Sequence, residues 1–355
     1  MDQSRRDLLK VSAAAVGSVL MGAQQGASAQ SKAASQQIKL PLAGQTGIRL
    51  ATCVFKAEAA PRIGIVLSNG RVIDVESEAK RQKLKLAFAA NSMISLIASG
   101  DAGLAQIKAL SEKTAGMKLL PLDQVRLISP IPKPERNIYC VGWNYLEHFE
   151  EGRDARADKS VATLPDHPVF FTKGTHTMNG PFDPIPYDAS HTATADWEVE
   201  LAVVIGRKGR NILEENAMNY VYGYSVYNDT TAREVQQKRH GGQWFKGKSL
   251  DGYGPMGPWI ITAAGIKLDE QRMICRVNGV EKQNGSYKQM YFKIPKIIAE
   301  LSRGLTLEAG DIIATGTPPG VGFARKPPEF LKPGDVMETE ISGIGVMRNT
   351  IVAES

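Results

Sequence analysis

The segment ADWEVELAVVIG, residues 195–206, constrains the fold of this chain more than any other part of the sequence. From Glu198 to Ile205 it is almost entirely apolar and β-branched, which is typical of a buried strand. Glu198 and Glu200 interrupt the pattern, and because strand side chains alternate between faces, both carboxylates point to the same side. Two like charges on one buried face are unfavourable. The sequence therefore predicts a cationic partner, from arginine, lysine or a metal ion, at this point of the sheet.

The first 29 residues differ in composition from the rest of the chain. A charged start, MDQSRRDLLK, precedes an apolar run too short for a good membrane span and the small residues ASA at 27–29, an order typical of a signal peptide. SRRDLLK at 4–10 is similar to a twin-arginine export signal. An ordinary signal peptide or an uncleaved anchor is the alternative. We expect cleavage before Gln30, a bacterial periplasmic location and no stable membrane association afterwards.

The remaining composition is that of a globular protein. The 355 residues are 43% hydrophobic and 23% charged, enough for one large and one small domain. The net charge of +6 is spread along the chain without a dense Lys/Arg run, so we expect no nucleic-acid partner. Cys53, Cys140 and Cys275 lie far apart without metal-binding spacing, and the odd count leaves at least one free. Cys140 and Cys275 lie in strand-like runs, so buried thiols are expected there, with one structural disulfide as the alternative.

Short strands and few helices predict two domains in an α+β, β-rich protein. After a polar, flexible arm at residues 30–47, a small N-terminal α+β domain is predicted at 48–132, with a hairpin at Asn69-Gly70. Two amphipathic helices are predicted there, near 78–98 and 102–115.

The larger domain is predicted at residues 135–355. It contains eight strand-like runs separated by Gly/Pro turns, with helices near 213–219 and 294–303. This spacing favours a β-rich sandwich, roll or barrel over a parallel α/β sheet.

Asp229 adds a third carboxylate where the strand-like run YGYSVYND ends. With Glu198 and Glu200 it forms a set of oxygen ligands without a nearby His or Cys cluster. Mg²⁺ and Mn²⁺ prefer such ligands and keep open positions for a chelating substrate, whereas zinc normally recruits His or Cys. From the residues alone, a structural cluster paired with arginine or lysine is an equal alternative.

Several motifs, in order, resemble the fumarylacetoacetate hydrolase family over residues 135–352. They are VGWNY at 141–145 with His148 and Glu151, FFTK at 170–173, DWEVEL at 196–201, GY at 223–224 with Asn228, Asp229, Ala232 and Arg233, QWFKGKS at 243–249, ATGTPPGVG at 314–322, and LKPGD at 331–335 through GIG at 343–345. The resemblance implies a mixed β-sandwich or roll around Mg²⁺ or Mn²⁺, usually in a homodimer. It also implies C–C hydrolysis, decarboxylation or isomerisation of small 2-oxo acids, through an enolate whose charge the cation stabilises.

The resemblance assigns Glu198, Glu200 and Asp229 as metal ligands, and it places His148 and Glu151 in catalysis. The latter two are three residues apart and would share one side of a helical turn. The carboxylate would then orient the imidazole, which takes a proton from water. A surface helix contact is the alternative for an isolated pair at this spacing.

Further polar residues are expected around the substrate. Lys248 matches the family's active-site lysine and would steady a substrate carboxylate or an oxyanion. Lys173, Arg233, Gln236 and Thr317 are predicted to bind substrate, Arg233 and Gln236 at its distal group. A surface position is the alternative for the two lysines, and a structural role is the alternative for Arg233 and Gln236.

Three loops near the expected cavity bear on the substrate. The Gly- and Asp-rich segment 152–167 is predicted to be a mobile lid. Gly252 and Gly254 stand where many relatives have Thr and Cys, and Gly174–Thr177 also departs from the usual family pattern. Within that loop, His176 is predicted to be a histidine without a catalytic role. These departures leave the predicted ligands intact and put the substrate in doubt.

The sequence thus predicts a divalent-metal-dependent hydrolase that cleaves a C–C bond in a small 2,4-dioxo acid of the acylpyruvate or fumarylpyruvate type. A decarboxylase or isomerase acting on a 2-oxo-ene-dioate ring-cleavage product is the alternative within the family. A non-catalytic periplasmic oxo-acid-binding protein is the alternative from another class, although a binding protein needs ligands and no base.

Overall fold

A computed structural model of the chain describes residues 46–57, 59–153 and 163–354. The predicted export signal, nearly all of the polar arm and the middle of the predicted lid lie outside the described residues, so these assignments stay predictions. Within the described ranges, no helix has the length and apolar character needed to cross a membrane.

Strands dominate the described structure, as predicted. They are β1 (Arg49–Val54), β2 (Arg62–Val66), β3 (Arg71–Asp74), β4 (Leu120–Pro121), β5 (Arg126–Ile128), β6 (Ile138–Gly142), β7 (Val169–Lys173), β8 (Met178–Asn179), β9 (Ile185–Tyr187), β10 (Ala195–Asp196), β11 (Val199–Ile205), β12 (Gly209–Arg210), β13 (Val221–Asn228), β14 (Thr231–Ala232), β15 (Gly254–Thr262), β16 (Arg272–Val277), β17 (Val280–Ser286), β18 (Thr306–Leu307), β19 (Ile312–Ala314), β20 (Val336–Ile341) and β21 (Gly345–Ala353). The α-helices are α1 (Val75–Gln82), α2 (Met93–Ala98), α3 (Gly100–Glu112), α4 (Leu146–Glu151), α5 (Arg233–Lys238), α6 (Phe245–Lys248) and α7 (Ile294–Ser302).

Two sheets enclose the larger core. Twelve strands form one sheet in the order β4-β3-β2-β1-β15-β13-β11-β19-β6-β7, with β5 paired to β1 and β8 paired to β15. The second sheet has the order β17-β16-β20-β21-β9. Leu201 and Val203 of β11 share a core with Met337 of the second sheet, whereas Ala202 and Val204 share a core with α2 and α3. The β-rich α+β fold is therefore confirmed.

The large sheet is continuous across the predicted domain boundary. Strand β1 pairs with β15 of the C-terminal region, with Arg49 opposite Ile261. Residues from both predicted domains thus share one sheet. The division into two domains at residues 132–135 stays a prediction.

The N-terminal helices differ in part from the prediction. The Asn69-Gly70 hairpin joins β2 and β3, with Gly70 at φ 74°, and α3 lies where the helix near 102–115 was predicted. One continuous helix near 78–98 is wrong, because Lys83 takes a left-handed conformation with φ 53° and ends α1. A new helix, α2, begins after Ser92, whose side chain accepts from the Ser95 N–H.

The predictions for the C-terminal helices are closer. Helix α7 confirms the one near 294–303, while the segment near 213–219 is the 3₁₀ helix Glu214–Tyr220. The three cysteines are buried and free, which confirms the buried thiols predicted at Cys140 and Cys275. Burial is the first cause that raises the pKa of each thiol.

Candidate metal and acid–base site

Three buried carboxylates meet at one end of strands β11 and β13. These antiparallel strands pair Val199 with Asn228, and the Asp229 N–H donates to the Glu198 carbonyl oxygen over 2.9 Å. This register places Asp229 beside Glu198 and Glu200. The side chains of these two glutamates point to the same side, because they are two residues apart in an extended segment. One oxygen of each carboxylate lies within 4.8 Å of the other two. The structure brings together the three residues predicted as metal ligands.

Two buried lysines contact these carboxylates. Lys248, at the end of α6, donates from Nζ to Glu198 Oε2 at 2.8 Å and to Asp229 Oδ2 at 2.7 Å. Lys173, at the end of β7, donates to Asp229 Oδ1 at 2.7 Å and to the Thr230 carbonyl at 2.9 Å. Burial opposes the charge of both. At Lys248 the two carboxylates outweigh burial and raise the pKa, whereas burial lowers the pKa of Lys173.

Arg233 is a third cation at this end of the sheet. Its Nε donates to Asp196 Oδ2 at 2.7 Å, and its Nη2 lies 2.7 Å from Glu198 Oε1, an ion pair without hydrogen-bond geometry. Nη1 donates to Gln236 Oε1 over 3.3 Å. The guanidinium also lies 4.3 Å from the centroid of the Phe323 ring. These contacts make Arg233 a positioning residue for Glu198, and its binding of a distal substrate group stays a prediction.

Asp196 belongs to the cluster and was missed by the sequence reasoning. Besides Arg233, it accepts the N–H groups of Gly322 at 2.7 Å and Phe323 at 3.0 Å. Burial raises its pKa, although Arg233 opposes that effect. A signal was present in the sequence, because residues 196, 198 and 200 alternate along one extended segment and so share one side.

Glu200 is the least compensated of the three predicted ligands. Its Oε2 accepts from the Gly316 N–H at 2.8 Å. Burial, then Asp229 and Glu198, raise the pKa of Glu200 well above its usual value. At Glu198 burial acts in the same direction, but Lys248 and Arg233 outweigh it and lower the pKa. The repulsion predicted from the sequence therefore persists at Glu200.

The chemistry of this cluster suits a divalent cation. Together with Asp196, the cluster contains four buried carboxylates against three cationic side chains. When all seven groups are ionised, one negative charge is left uncompensated. Glu198, Glu200 and Asp229 offer closely spaced anionic oxygens, which are the ligands of hard ions such as Mg²⁺ and Mn²⁺. These three residues would hold the ion.

The predicted pair of His148 and Glu151 is formed on helix α4. His148 Nδ1 lies 2.9 Å from Glu151 Oε1, and Glu151 Oε2 accepts the Gly320 N–H at 2.8 Å. A carboxylate that accepts at Nδ1 favours the imidazole tautomer with its proton on that nitrogen. Nε2 is then left without a proton, as a general base requires.

A cavity of about 150 Å³ lies between this pair and the carboxylates. Its lining includes His148, Lys248, Glu198, Glu200, Arg233, Gln236 and Thr317, and an aromatic wall of Trp143, Phe171, Trp244 and Phe323. Trp244 packs edge-to-face against Trp143, with 5.1 Å between ring centroids, and against Phe171, with 5.2 Å. The cavity is smaller than the roughly 300–1,000 Å³ typical of drug-sized ligands, so it suits a small acid.

The structure treats the predicted substrate-binding residues differently. Gln236 and Thr317 line the cavity. The Thr317 hydroxyl donates to the Val199 carbonyl at 3.0 Å and accepts from Gln283 Nε2 at 2.7 Å. Lys173 is fully buried beside Asp229 and is not among the lining residues. Substrate binding by these three residues stays a prediction, and for Lys173 the geometry favours a structural role.

His176 lies outside this cavity. It lines a second cavity of about 280 Å³, and its Nε2 is 2.9 Å from the Ser249 carbonyl oxygen. The ring packs on Gly174, where an added Cβ would come within 2.4 Å of His176 Cε1. This close approach gives a packing reason for Gly174, one of the departures from the family pattern.

Comparison with known sequences identifies the class of protein. The family profile described as fumarylacetoacetate (FAA) hydrolase C-terminal matches residues 137–352. The chain therefore belongs to the fumarylacetoacetate hydrolase family, as the motifs indicated. Oxaloacetate tautomerase YisK of Bacillus subtilis (strain 168) is 41% identical over 297 residues, covering 81% of this chain and 95% of the relative. The mitochondrial oxaloacetate tautomerase fahd2 of Xenopus laevis is 39% identical over 295 residues, covering 82% and 86%.

Solved structures support the same family. A fumarylacetoacetate hydrolase from Exiguobacterium antarcticum matches with a TM-score of 0.70 and 38% identity, over 86% of this chain and 100% of that chain. A probable 2-hydroxyhepta-2,4-diene-1,7-dioate isomerase from Mycobacterium abscessus matches with 0.69 and 30%, over 87% and 100%. Maleylpyruvate hydrolase from Sphingobium sp. SYK-6, in complex with manganese(II) and pyruvate, matches with 0.68 and 27%, over 86% and 100%.

Proposed function

We propose that this protein is a divalent-metal-dependent enzyme that interconverts the enol and keto forms of a small 2-oxo dicarboxylic acid, with oxaloacetate as the first candidate. The observation that carries the proposal is the His148–Glu151 pair facing a carboxylate cluster across one small cavity. The choice of tautomerisation is supported by two relatives named oxaloacetate tautomerases, which are 41% and 39% identical to this chain.

The carboxylates supply the metal side of the proposal. Mg²⁺ or Mn²⁺ held by Glu198, Glu200 and Asp229 would act as a Lewis acid toward the oxygens of a 2-oxo acid and stabilise negative charge that develops there. Support for this choice comes from the maleylpyruvate hydrolase structure, which contains manganese(II) and pyruvate.

His148 would move the proton. From the keto form, its Nε2 takes a proton from the carbon next to the ketone, and the electron pair of that C–H bond becomes the enol double bond. The ketone oxygen then gains a proton, so no atom is lost or added overall. Glu151, at 2.9 Å from Nδ1, holds the ring in position and stabilises its protonated form.

The cationic side chains would favour a dianionic substrate. Lys248 lines the cavity and would balance charge that develops on the ketone oxygen. A bound divalent ion would change the cluster from one uncompensated negative charge to one positive charge, which attracts an anion. The aromatic wall would exclude water from the reacting carbon, as a tautomerase requires if it does not hydrolyse its substrate.

Hydrolysis of a C–C bond in a 2,4-dioxo acid is the second candidate function. It is supported by the maleylpyruvate hydrolase match and by the same pair, since His148 could take its proton from water instead of carbon. Isomerisation or decarboxylation of a ring-cleavage product is supported by the match to the probable 2-hydroxyhepta-2,4-diene-1,7-dioate isomerase. The products separate these reactions: hydrolysis yields a second carboxylic acid, decarboxylation yields CO₂, and isomerisation shifts a double bond.

The test is turnover by the purified protein on the enol form of oxaloacetate, acetylpyruvate and a ring-cleavage diacid. Each reaction is followed by loss of enol absorbance and product analysis, in EDTA, Mg²⁺ or Mn²⁺. We expect metal-dependent ketonisation of oxaloacetate without a new acid. Pyruvate plus a second acid from acetylpyruvate would instead establish the hydrolase. Metal binding without turnover on any substrate would favour the oxo-acid-binding protein.

Export and assembly are further proposals that rest on the sequence. We propose twin-arginine export to the periplasm and a homodimer. Loss of export after Arg5→Lys plus Arg6→Lys, with export intact in the parent, would support the first. Light scattering on the purified protein tests the second, and a monomeric mass would contradict it.

A further inference from the structure

The two buried lysines contact Asp229 in different ways. Lys173 donates to Asp229 Oδ1 and to the Thr230 carbonyl, so it links the Asp229 carboxylate to the backbone of the next residue. Lys248 donates to Asp229 Oδ2 and also to Glu198 Oε2, so its ammonium bridges two of the three metal-ligand candidates. The contacts of Lys173 therefore orient the Asp229 carboxylate. Those of Lys248 also link Asp229 to Glu198, because both carboxylates share one ammonium.

The bridging ammonium and a divalent ion would bind to the same two carboxylates. Glu198 and Asp229 belong to the set whose ligand atoms lie within 4.8 Å of one another, and Lys248 Nζ lies 2.8 Å and 2.7 Å from them. A dication coordinated by these carboxylates withdraws electron density from the oxygens and repels an ammonium at such short range. Both cations cannot keep their strongest contacts at once.

The ammonium of Lys248 also adjoins the cavity. Lys248 is one of the lining residues, and the same Nζ that contacts the carboxylates lies 5.3 Å from the centroid of the Phe171 ring on the cavity wall. Lys248 thus lies between the carboxylates and the space in which an anion would bind.

We infer that Lys248 competes with the divalent cation for Glu198 and Asp229, and that metal binding turns its ammonium toward the substrate. Lys248 thereby weakens metal binding and makes its own substrate contact conditional on the metal. The inference rests on the proposed metal-dependent function, and it adds a role for Lys248 before substrate binds.

The effect of removing Lys248 distinguishes competition from support. A residue that only orients metal ligands strengthens the site, and its loss usually costs about 10–100-fold in metal affinity. A residue that competes for the ligands weakens the site, and its loss strengthens binding. The two roles therefore predict opposite signs for the same substitution.

The experiment compares Lys248→Met with Lys173→Met, a matched substitution in the same buried cluster, by calorimetric titration with Mn²⁺ alone. We expect Lys248→Met to bind Mn²⁺ at least about tenfold more tightly than the parent, and Lys173→Met to bind no more tightly. Lys248→Arg, which keeps the charge, should stay close to the parent. Weaker binding by Lys248→Met, or equal tightening by both methionine variants, would overturn the inference.

Two further measurements test the inference if a variant folds poorly. Mn²⁺ should raise the midpoint of thermal unfolding more for Lys248→Met than for the parent, relative to EDTA. In the unaltered protein labelled with ¹⁵N-lysine, diamagnetic Mg²⁺ should shift the Lys248 ammonium signal, assigned by its absence in Lys248→Arg, and an unmoved signal contradicts the inference. If the parent binds neither ion, the proposed function fails as well. If the parent binds Mn²⁺ but Lys248→Met binds it more weakly than the parent, this inference alone fails.

Discussion

On the strand side of the cavity, Glu198, Glu200 and Asp229 lie on or beside two central strands of the large sheet, whereas on the helix side His148 and Glu151 lie on a helix of six residues. The strand side is held by Lys173, Lys248, Arg233 and Asp196 and is almost fully buried. On the helix side, the pair is held by the contact between its own two side chains and by the N–H of Gly320, and buried Phe149 of the same helix packs against Trp143.

The difference separates binding from proton transfer. The carboxylates cannot move without disturbing β11 and β13, so the geometry of the proposed metal site is part of the fold. The proposed base, His148, comes from a short helix that is anchored by the packing of Phe149 against Trp143. Relatives named as tautomerases, hydrolases and isomerases share this fold. In the proposed scheme, reaction type depends on what the helix side presents to a common binding side.

Removing Asp229 should have the largest effect, and it acts on the strand side. Asp229→Ala leaves Lys173 buried without its carboxylate and takes one of two from Lys248. Breaking a buried ion pair in this way costs about 3–5 kcal/mol of the free energy of unfolding. Denaturant unfolding in EDTA measures it, with exposed Asp166→Ala as the control, expected within about 0.5 kcal/mol of the parent. A loss no larger than the control's would show that the ion pairs do not hold this side.

Removing His148 should lower turnover without changing metal affinity, and this would separate the contributions of the two sides of the cavity. His148→Ala is expected to lower kcat by about 10²–10⁴-fold, the usual contribution of a general acid–base residue. Mn²⁺ affinity should be retained, because the carboxylates are untouched. His176→Ala is a matched control, since His176 also lies near a carboxylate, with Nε2 3.8 Å from Asp251 Oδ1, but lies outside this cavity and is predicted to have no catalytic role. Equal kcat values in both variants would exclude His148 as the base.

Changing Glu151 should have a smaller effect on the same side. Glu151→Gln keeps the shape and removes the charge that stabilises protonated His148. A charge-assisted hydrogen bond contributes about 1.5–3 kcal/mol, which corresponds to roughly a 10–100-fold loss of kcat. Thermal unfolding in EDTA is the control, and the variant should unfold at about the same temperature as the parent. A lower kcat together with an equal loss of stability would indicate a structural role only.

Much of the strand side could be predicted from the sequence. The spacing of Glu198 and Glu200 in an apolar run fixes their common face, and the end of the next strand-like run places Asp229 nearby. The motifs then supply Lys248 and the His148–Glu151 pair. The common face of the glutamates and the contact of His148 with Glu151 could be predicted because strand alternation and short helical spacing are local properties of the chain.

Other contacts depend on long-range packing and could not be predicted. Gly316 and Gly320 support Glu200 and Glu151 through backbone N–H groups, which the sequence does not distinguish from any other. The motifs predict that Lys173 binds substrate, but its contact with Asp229 joins the ends of β7 and β13, which are separated by three strands in the sheet. The break after Lys83 depends on one left-handed residue inside an amphipathic pattern.

A smaller effect is expected from Glu200→Gln, and its sign depends on metal and pH. The folded state raises the pKa of Glu200, through burial and then Asp229 and Glu198, so the folded protein holds that proton more tightly than the unfolded chain. In EDTA, the parent therefore loses stability relative to the variant as the pH rises above about 4.3, the ordinary pKa of Glu, and the stabilities of the two proteins converge below that pH.

With Mn²⁺ the order of stability should reverse, because the amide of Glu200→Gln removes one anionic ligand and weakens metal binding to the folded state. Denaturant unfolding at several pH values, with and without Mn²⁺, tests both signs. A parent more stable than the variant at neutral pH in EDTA would mean that the carboxylates are already balanced without a metal ion.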